Sequence, residues 1–408
     1  MNCGLLGRKL GHSYSPQIHS YLGNYPYQLF EKEPEQLEVF LKNGNFSGIN
    51  VTIPYKKDVI PYLDELTPRA AALGAVNTIV RRADGTLLGH NTDYFGFLSM
   101  VHKSGVTVTG KKVLVLGSGG ASNTAVAVLK ELGADVIVIS RSGENNYGNL
   151  QRHEDAAVIV NTTPVGMYPN TGISPVQLNQ FPHLEGVLDV VYNPARTALL
   201  LEAESRGIPC MNGLWMLVAQ AKEAAEYFTG TKIDDSRISQ IHQILKSQME
   251  NIVLIGMPGC GKTTVGTMLS ALLNRRFTDS DTEIEKAAGK PIPAIFADDG
   301  EEAFRQWETQ VLSELGKQSG LVIATGGGCV TRQRNFPLLH QNGSLFWLRR
   351  DIHQLPKDGR PLSLKNDLSQ MYAVRKPMYQ AFADHILENN GAPEQTVQQI
   401  IAILEEHA

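Results

Sequence analysis

The stretch Asn251–Thr264, NIVLIGMPGCGKTT, leaves this chain few folds to adopt. Ile252–Ile255 is a continuous apolar run, as expected of a strand buried on both faces. It leads into Gly256-x-x-x-x-Gly261-Lys262-Thr263, after which a helix begins. Strand, glycine-rich loop and helix start together aim backbone N–H groups at one point, where phosphate oxygens are bound. Gly256, Gly259 and Gly261 keep that point open. Lys262 offsets phosphate charge, the Thr263 hydroxyl suits Mg²⁺, and Thr264 closes the loop. The loop predicts ATP-type chemistry in a parallel-sheet domain, with water, a nucleotide or a small alcohol all open as acceptor.

A second glycine turn lies far upstream. The run Val113–Leu116 precedes Gly117-Ser-Gly119-Gly120-Ala121-Ser122, a dinucleotide-type turn whose sixth position is serine instead of glycine. The bare alternative is a glycine turn that packs a helix against a strand. The next strand, Val136–Ile139, ends in Ser140–Arg141–Ser142, with no Asp or Glu to hold ribose hydroxyls. Arg141 can pair with a 2′-phosphate and the flanking Ser140 can add a hydrogen bond, which favours NADP(H); a solvated arginine is the alternative.

Two nucleotide sites of different kinds on 408 residues predict more than one domain. Further apolar runs at Val158–Val160, Val187–Val191, Val322–Ala324 and Leu345–Leu348 alternate with amphipathic stretches, the pattern of parallel α/β sheets. Over Ile233–Met249, Asp234 or Asp235 caps a helix carrying Ile238, Ile241, Leu245 and Met249 on one face. Strand Ile252–Ile255 follows almost at once, so the junction has almost no linker. No internal repeat appears, which argues against duplication.

Each half, divided at Glu250, carries a net charge of about −2, and neither has the basic excess expected of a nucleic-acid partner. Cys3, Cys210, Cys260 and Cys329 are too dispersed for a zinc knuckle or redox pair. They predict a reducing, cytoplasmic setting. No run reads as a signal peptide or membrane span. Cys260 and Cys329 read as small packing residues, thiol-sensitive only if exposed.

Three N-terminal segments, GHSYSP, NVTIPYKK and GHNTDYFGF, place polar groups between apolar runs. An extended backbone would put the Ser13 and Ser15 hydroxyls on one face, toward an oxygen-rich ligand. A turn before Pro16 is the alternative. Lys56 beside a carboxylate such as Asp93 makes a proton-transfer dyad, the alternatives being a surface charge and a helix cap.

The ordered set Ser13-x-Ser15-Pro16, Asn50-Val-Thr52-Ile-Pro54-Tyr-Lys56, Gly74-Ala-Val-Asn77-Thr78, Asn91-Thr92-Asp93, Asn161-Thr-Thr-Pro-Val-Gly166-Met167 and Gln220 resembles shikimate dehydrogenase from about Met1 to Met249. Related quinate-using enzymes share most of these segments. The resemblance implies a Lys56–Asp93 catalytic dyad, with Lys56 handling the proton at the C3 oxygen while NADPH reduces 3-dehydroshikimate. It also implies that Ser13 and Ser15 hold the substrate carboxylate near Tyr192. Thr52, Asn77, Asp93 and Gln220 would hold ring hydroxyls. Only 16 residues separate Arg141 from Val158, fewer than relatives commonly have.

Beyond the phosphate loop, FTDSD sets Asp279 and Asp281 at alternate positions, which an extended backbone would direct to one face. A cap for the following helix is the alternative. Arg305 in GEEAFRQWE, the glycines of ATGGGCV, Arg360 in GRPL and Arg375 in VRKPMY then follow in an order similar to shikimate kinase. The resemblance runs from Asn251 to about the C-terminus. It implies that Asp281 positions or deprotonates the shikimate 3-hydroxyl and that Asp279 supports Mg²⁺ through water. Arg305 and Arg375 would grip the carboxylate, Gly327 would lend a backbone N–H, and Arg360 would steady the transferring phosphoryl group from a lid.

The two resemblances imply a bifunctional enzyme that reduces 3-dehydroshikimate and phosphorylates the hydroxyl just formed. The expected architecture is α/β throughout. Residues 1–100 with 213–249 make a substrate lobe, 101–212 a Rossmann lobe for NADP, and 251–408 a P-loop kinase. The alternatives are a dehydrogenase preferring quinate and NAD, or one half that binds ligand without catalysis. Oligomeric state is left open.

Overall fold

The computed structural model describes residues 1–11, 13–355 and 368–406. They divide into two compact units. The first comprises residues 1–165, 174–192 and 202–242, and the second residues 166–173, 193–201 and 243–408.

The first unit holds two sheets. In the N-terminal one, strands β1 (Cys3–Gly7), β2 (Tyr27–Glu31), β3 (Gly48–Val51), β4 (Glu65–Leu66), β5 (Thr78–Arg81) and β6 (Leu87–His90) lie in the order β2-β1-β3-β5-β6-β4. The pairs β1–β2 and β1–β3 are parallel, but β5 runs antiparallel to both β3 and β6. The apolar runs that predict parallel strands all lie beyond this lobe, which is mixed. The cause is local: Arg82-Ala-Asp84-Gly85-Thr86 is a tight turn with Gly85 at φ +89°, so β5 and β6 return as a hairpin.

The second sheet is wholly parallel: β7 (Lys112–Leu116), β8 (Asp135–Ile139), β9 (Val158–Asn161), β10 (Gly186–Asp189) and β11 (Cys210–Met211), ordered β11-β10-β9-β7-β8. Val113–Leu116 and Val158–Val160 are fully buried, as their unbroken apolar runs require. The strand expected over Val187–Val191 stops at Asp189, whose carboxylate is buried and hydrogen-bonded by Asn161 Nδ2 at 2.9 Å. The short stretch after Arg141 holds a single 3₁₀ turn, Leu150–His153, before β9.

The helices Asp93–Ser104 and Leu214–Thr229 pack on each other, joined where Trp215 Nε1 donates to Ser99 Oγ at 2.8 Å. The expected helix runs from Ser236 to Met249, with Asp234 accepting the Ser236 N–H and the four named apolar residues buried.

Burial pushes the Glu223 carboxyl on Leu214–Thr229 up to about 7. Its Oε2 has no hydrogen-bond partner, and Arg69 stands 3.7 Å from the other oxygen. Between the ordinary value of 4.5 and about 7, the folded chain holds this proton more tightly than the unfolded one. The contribution to stability is complete below the lower value and is lost as pH rises through the upper. Glu223→Gln should therefore raise the unfolding midpoint by a few degrees at about pH 8 and leave it nearly unchanged at about pH 5. Equal midpoints at the higher pH would contradict this account.

In the second unit, β12 (Asn251–Ile255), β13 (Phe277–Asp279), β14 (Val322–Ala324), β15 (Gly343–Arg349) and β16 (His385–Glu388) form a parallel sheet ordered β13-β14-β12-β15-β16. Its apolar core includes Ile252–Ile255, Val322, Ile323 and Leu345–Leu348. Among the described residues, no helix is long and apolar enough to cross a membrane, and no group of three or more His, Cys, Asp or Glu could hold a metal.

Candidate functional sites

A cleft of about 550 Å³ opens in the first unit. Ser13, Ser15, Thr52, Lys56, Asn77, Asp93, Ala121, Tyr192 and Gln220 all line it. The two serines arrive there differently from the expectation. Their backbone is a helix entry, with Tyr14 at φ −77° and ψ −7°, Ser13 Oγ accepting the Ser15 N–H at 3.2 Å, and Ser15 opening the helix Ser15–Leu22. Pro16 at the first helical turn favours that geometry over extension.

Lys56 Nζ lies 2.6 Å from Asp93 Oδ2, and Asn77 Nδ2 donates to Asp93 Oδ1 at 2.9 Å. Asp93 opens its helix, where the N-terminal dipole favours negative charge. Asn77 Oδ1 accepts the Thr92 N–H at 2.7 Å, so one amide side chain holds both the carboxylate and the backbone just before it. Asn77 Nδ2 also approaches Gln220 Oε1 at 3.5 Å. An ammonium held against a fixed carboxylate within a ligand-sized cleft can deliver a proton to an oxygen bound there. Burial pushes the Tyr192 phenol up, keeping it neutral.

The glycine turn after β7 is open where a dinucleotide phosphate needs access. A Cβ on Gly119 or Gly120 would meet nothing within 4 Å, whereas one on Gly117, at φ +109°, would press on Thr162 and Thr163. Ser122, in place of the final glycine, is buried and donates its hydroxyl to Gly117 O at 2.8 Å, fastening the turn. Arg141 is exposed at the end of β8, beside Ser140, whose hydroxyl donates to Ser142 O at 3.2 Å. These residues fit an NADP-type ligand: open glycines for the pyrophosphate and a free-standing cation for a further phosphate.

In the second unit the loop from Gly256 to Thr263 takes backbone conformations reserved for glycine, with φ of +144° at Gly256, +83° at Gly259 and +101° at Gly261. Lys262 is buried and its Nζ donates to Gly256 O at 2.9 Å and Met257 O at 3.0 Å, folded over the loop it serves. Thr263 and Thr264 are exposed at the helix start. Thr263 Oγ1 donates to Asp279 Oδ2 at 3.1 Å, a hydroxyl–carboxylate pair that fits a hydrated Mg²⁺.

Asp279 and Asp281 do not share an extended segment. Asp279 ends β13 and caps the helix Ser280–Ala288 by accepting the Asp281 N–H at 3.0 Å; Asp281 lies in that helix's first turn. A short polar run after a strand favours capping, which satisfies an otherwise orphaned N–H. Burial, reinforced by the negative charge of Asp279, pushes the Asp281 carboxyl up, and its Oδ1 is buried without a partner. A Cβ on Gly326 would come within 2.7 Å of that oxygen.

Arg305 is buried, held by Glu308 at 2.9 Å and Glu301 at 3.2 Å. Arg375 Nη1 donates to Gly327 O at 3.1 Å, and Tyr379 Oη bonds the same carbonyl. Cys260 and Cys329 are both buried, and burial pushes the Cys329 thiol up to about 12, so both act as packing residues. Arg360 lies outside the described residues.

Sequence reasoning gave no role to Asn50, Tyr27, Glu308 or Asn389. Asn50 shares a strand face with Thr52 by simple alternation, a signal that was available. Asn389 Nδ2 donates to Cys260 O at 2.6 Å and braces the phosphate loop from the end of β16, a pairing with no local signature.

Comparison with known proteins finds relatives for both parts of the chain. The family model of the shikimate dehydrogenase substrate binding domain matches residues 5–79, and that of shikimate kinase matches residues 258–405. Shikimate dehydrogenase (NADP(+)) of Clostridium perfringens (strain SM101 / Type A) is 38% identical over 265 residues, covering 60% of this chain and 97% of that protein. Among solved structures, shikimate dehydrogenase 1 from Peptoclostridium difficile has a TM-score of 0.56 and 39% identity, covering 60% of this chain and 97% of its own. A chorismate mutase/shikimate 5-dehydrogenase fusion protein from Clostridium acetobutylicum has a TM-score of 0.57 and 36% identity over the same shares. The chain belongs to the shikimate dehydrogenase family, joins to it a shikimate kinase domain, and is a bifunctional enzyme of the shikimate pathway.

Proposed function

We propose that the first site reduces 3-dehydroshikimate to shikimate with NADPH and that the second phosphorylates the shikimate 3-hydroxyl with ATP and Mg²⁺. The observation that carries this reading is the Lys56–Asp93 pair at 2.6 Å inside the cleft. NADPH, held by Gly117, Gly119, Gly120, Ala121, Ser140 and Arg141, supplies the hydride. Lys56 gives its proton to the C3 oxygen as that atom gains negative charge, and Asp93 keeps the ammonium aimed. Ser13 and Ser15 hold the ring carboxylate beside Tyr192. Thr52, Asn77 and Gln220 take the ring hydroxyls.

In the second site ATP supplies the phosphoryl group and rests on Gly256, Gly259, Gly261, Lys262, Thr263 and Thr264, with Thr263 and Asp279 on the metal side. Asp281, its basicity raised by burial, accepts the proton of the 3-hydroxyl. Arg305 and Arg375 face the carboxylate with the Gly327 backbone, and Arg360 steadies the transferring group. Residues 1–100 with 213–249, 101–212 and 251–408 are the corresponding domains.

Initial rates with shikimate and quinate, each with NADP⁺ and NAD⁺, test the substrate and cofactor. Shikimate with NADP⁺ should be the fastest pair. Faster turnover of quinate with NAD⁺ would overturn the reading.

A further inference from the structure

The phosphate loop of the second unit is gripped by a buried amide from the far edge of its sheet. Asn389 directly follows β16, and its N–H donates to Arg349 O at 2.7 Å, which extends the β15–β16 ladder by one step. The side chain, 3% exposed, therefore springs from a fixed backbone. Asn389 Nδ2 donates to Cys260 O at 2.6 Å, and Asn389 Oδ1 accepts the Thr396 hydroxyl at 2.7 Å. Thr396 is buried in the first turn of the helix Pro393–Glu406. Both ends of the amide are thus used, one on the loop and one on the helix.

The bond to Cys260 has a directional consequence. A trans peptide unit carries its carbonyl oxygen and its N–H on opposite sides, so a Cys260 oxygen pinned against Asn389 turns the Gly261 N–H away from it. Gly261, at φ +101°, has no room for a side chain on the Asn389 face, where a Cβ would lie 2.5 Å from Nδ2. The Cys260 N–H donates to Met257 O at 3.2 Å, and the same carbonyl receives Lys262 Nζ at 3.0 Å. Asn389 and Lys262 therefore hold one turn between them.

We propose that Asn389 is a positioning residue for the kinase reaction, holding the Cys260 carbonyl so that the Gly261 N–H is aimed at a phosphate oxygen of ATP. It acts on the nucleotide only through the loop. The inference rests on the reading above that this loop binds ATP.

Asn389→Ala leaves the Cys260 carbonyl buried without its donor and the peptide unit free to turn. In the full chain, assayed as ADP release, the KM for ATP should rise about tenfold, the size of one lost buried polar contact. The KM for shikimate should stay within about twofold, because Arg305 and Arg375 are held by Glu308 and the Gly327 carbonyl instead. Shikimate oxidation by the same protein should be unchanged. Thr396→Val keeps the side chain's shape and removes the hydroxyl that orients the amide, so it should raise the KM for ATP about threefold. In an Asn389→Ala background it should add nothing measurable, because the link is already cut.

A KM for ATP within about twofold of the parent in Asn389→Ala, with Lys262→Ala inactive as a kinase, would overturn the role of Asn389 alone. A parallel rise in the KM values for ATP and shikimate would mark Asn389 as merely structural and overturn it too. If Lys262→Ala retains phosphorylation, the loop assignment falls and takes the inference with it. Should Asn389→Ala fail to fold, Thr396→Val carries the test, and an unmoved KM for ATP there would overturn the proposal.

Discussion

Replacing Lys56 by alanine should slow reduction of 3-dehydroshikimate by about 10²–10⁴-fold, the range for losing a positioned general acid. Phosphorylation of supplied shikimate should stay within about twofold. The geometry explains both halves of this result. The ammonium touches Asp93 Oδ2 at 2.6 Å in a largely shielded pair, so removing it takes away the proposed proton donor. Asp93 keeps its bond from Asn77 and its place at the helix N-terminus, and the fold should survive. Pre-steady-state mixing with NADPH checks the assignment, since loss of hydride transfer with normal NADPH binding is the expected signature. A rate within about threefold of the parent would remove Lys56 from the chemistry.

Lys262→Ala should do the reverse, lowering phosphorylation by about 10²–10³-fold, as expected when a preorganised charge at a transferring phosphoryl group is lost. Reduction of 3-dehydroshikimate should be unaffected. Lys262 is buried against the carbonyls of Gly256 and Met257, so alanine also leaves these acceptors without their donor. For that reason Lys262→Arg is the useful companion: it keeps the charge but not the compact ammonium that fits between two carbonyls. It should fold normally and still lose most kinase activity. Retained phosphorylation in both variants would contradict the assignment of this loop.

The parts of the fold legible in the sequence were those where one physical demand dominates. Val113–Leu116 and Ile252–Ile255 are buried on both faces, so an unbroken apolar run marks each. Positive-φ positions such as Gly256, Gly259 and Gly261 tolerate little but glycine, so the phosphate loop announces itself. Local choices between competing motifs were harder to read. Ser13–Ser15 and Asp279–Asp281 both alternate as an extended strand would, yet each pair sits at a helix start, where an orphaned N–H finds a side-chain acceptor. The β5–β6 hairpin was signalled by Asp84–Gly85 but lost among longer α/β periods. Least legible were contacts between distant segments. Nothing near Tyr27 tells that its phenol meets Asn50, and nothing near Asn389 tells that it braces Cys260.

Two complete sites acting in sequence on one small molecule is the central claim, and one tube tests it. The intact chain receives 3-dehydroshikimate, NADPH and Mg·ATP, with the Lys56→Ala and Lys262→Ala proteins as controls, and NADPH loss and ADP release are followed together. One ADP should appear for each NADPH consumed, with shikimate 3-phosphate as product; Lys56→Ala should release no ADP, and Lys262→Ala should stop at shikimate. ADP release that proceeds without NADPH, or NADPH loss in the parent with no ADP, would contradict it.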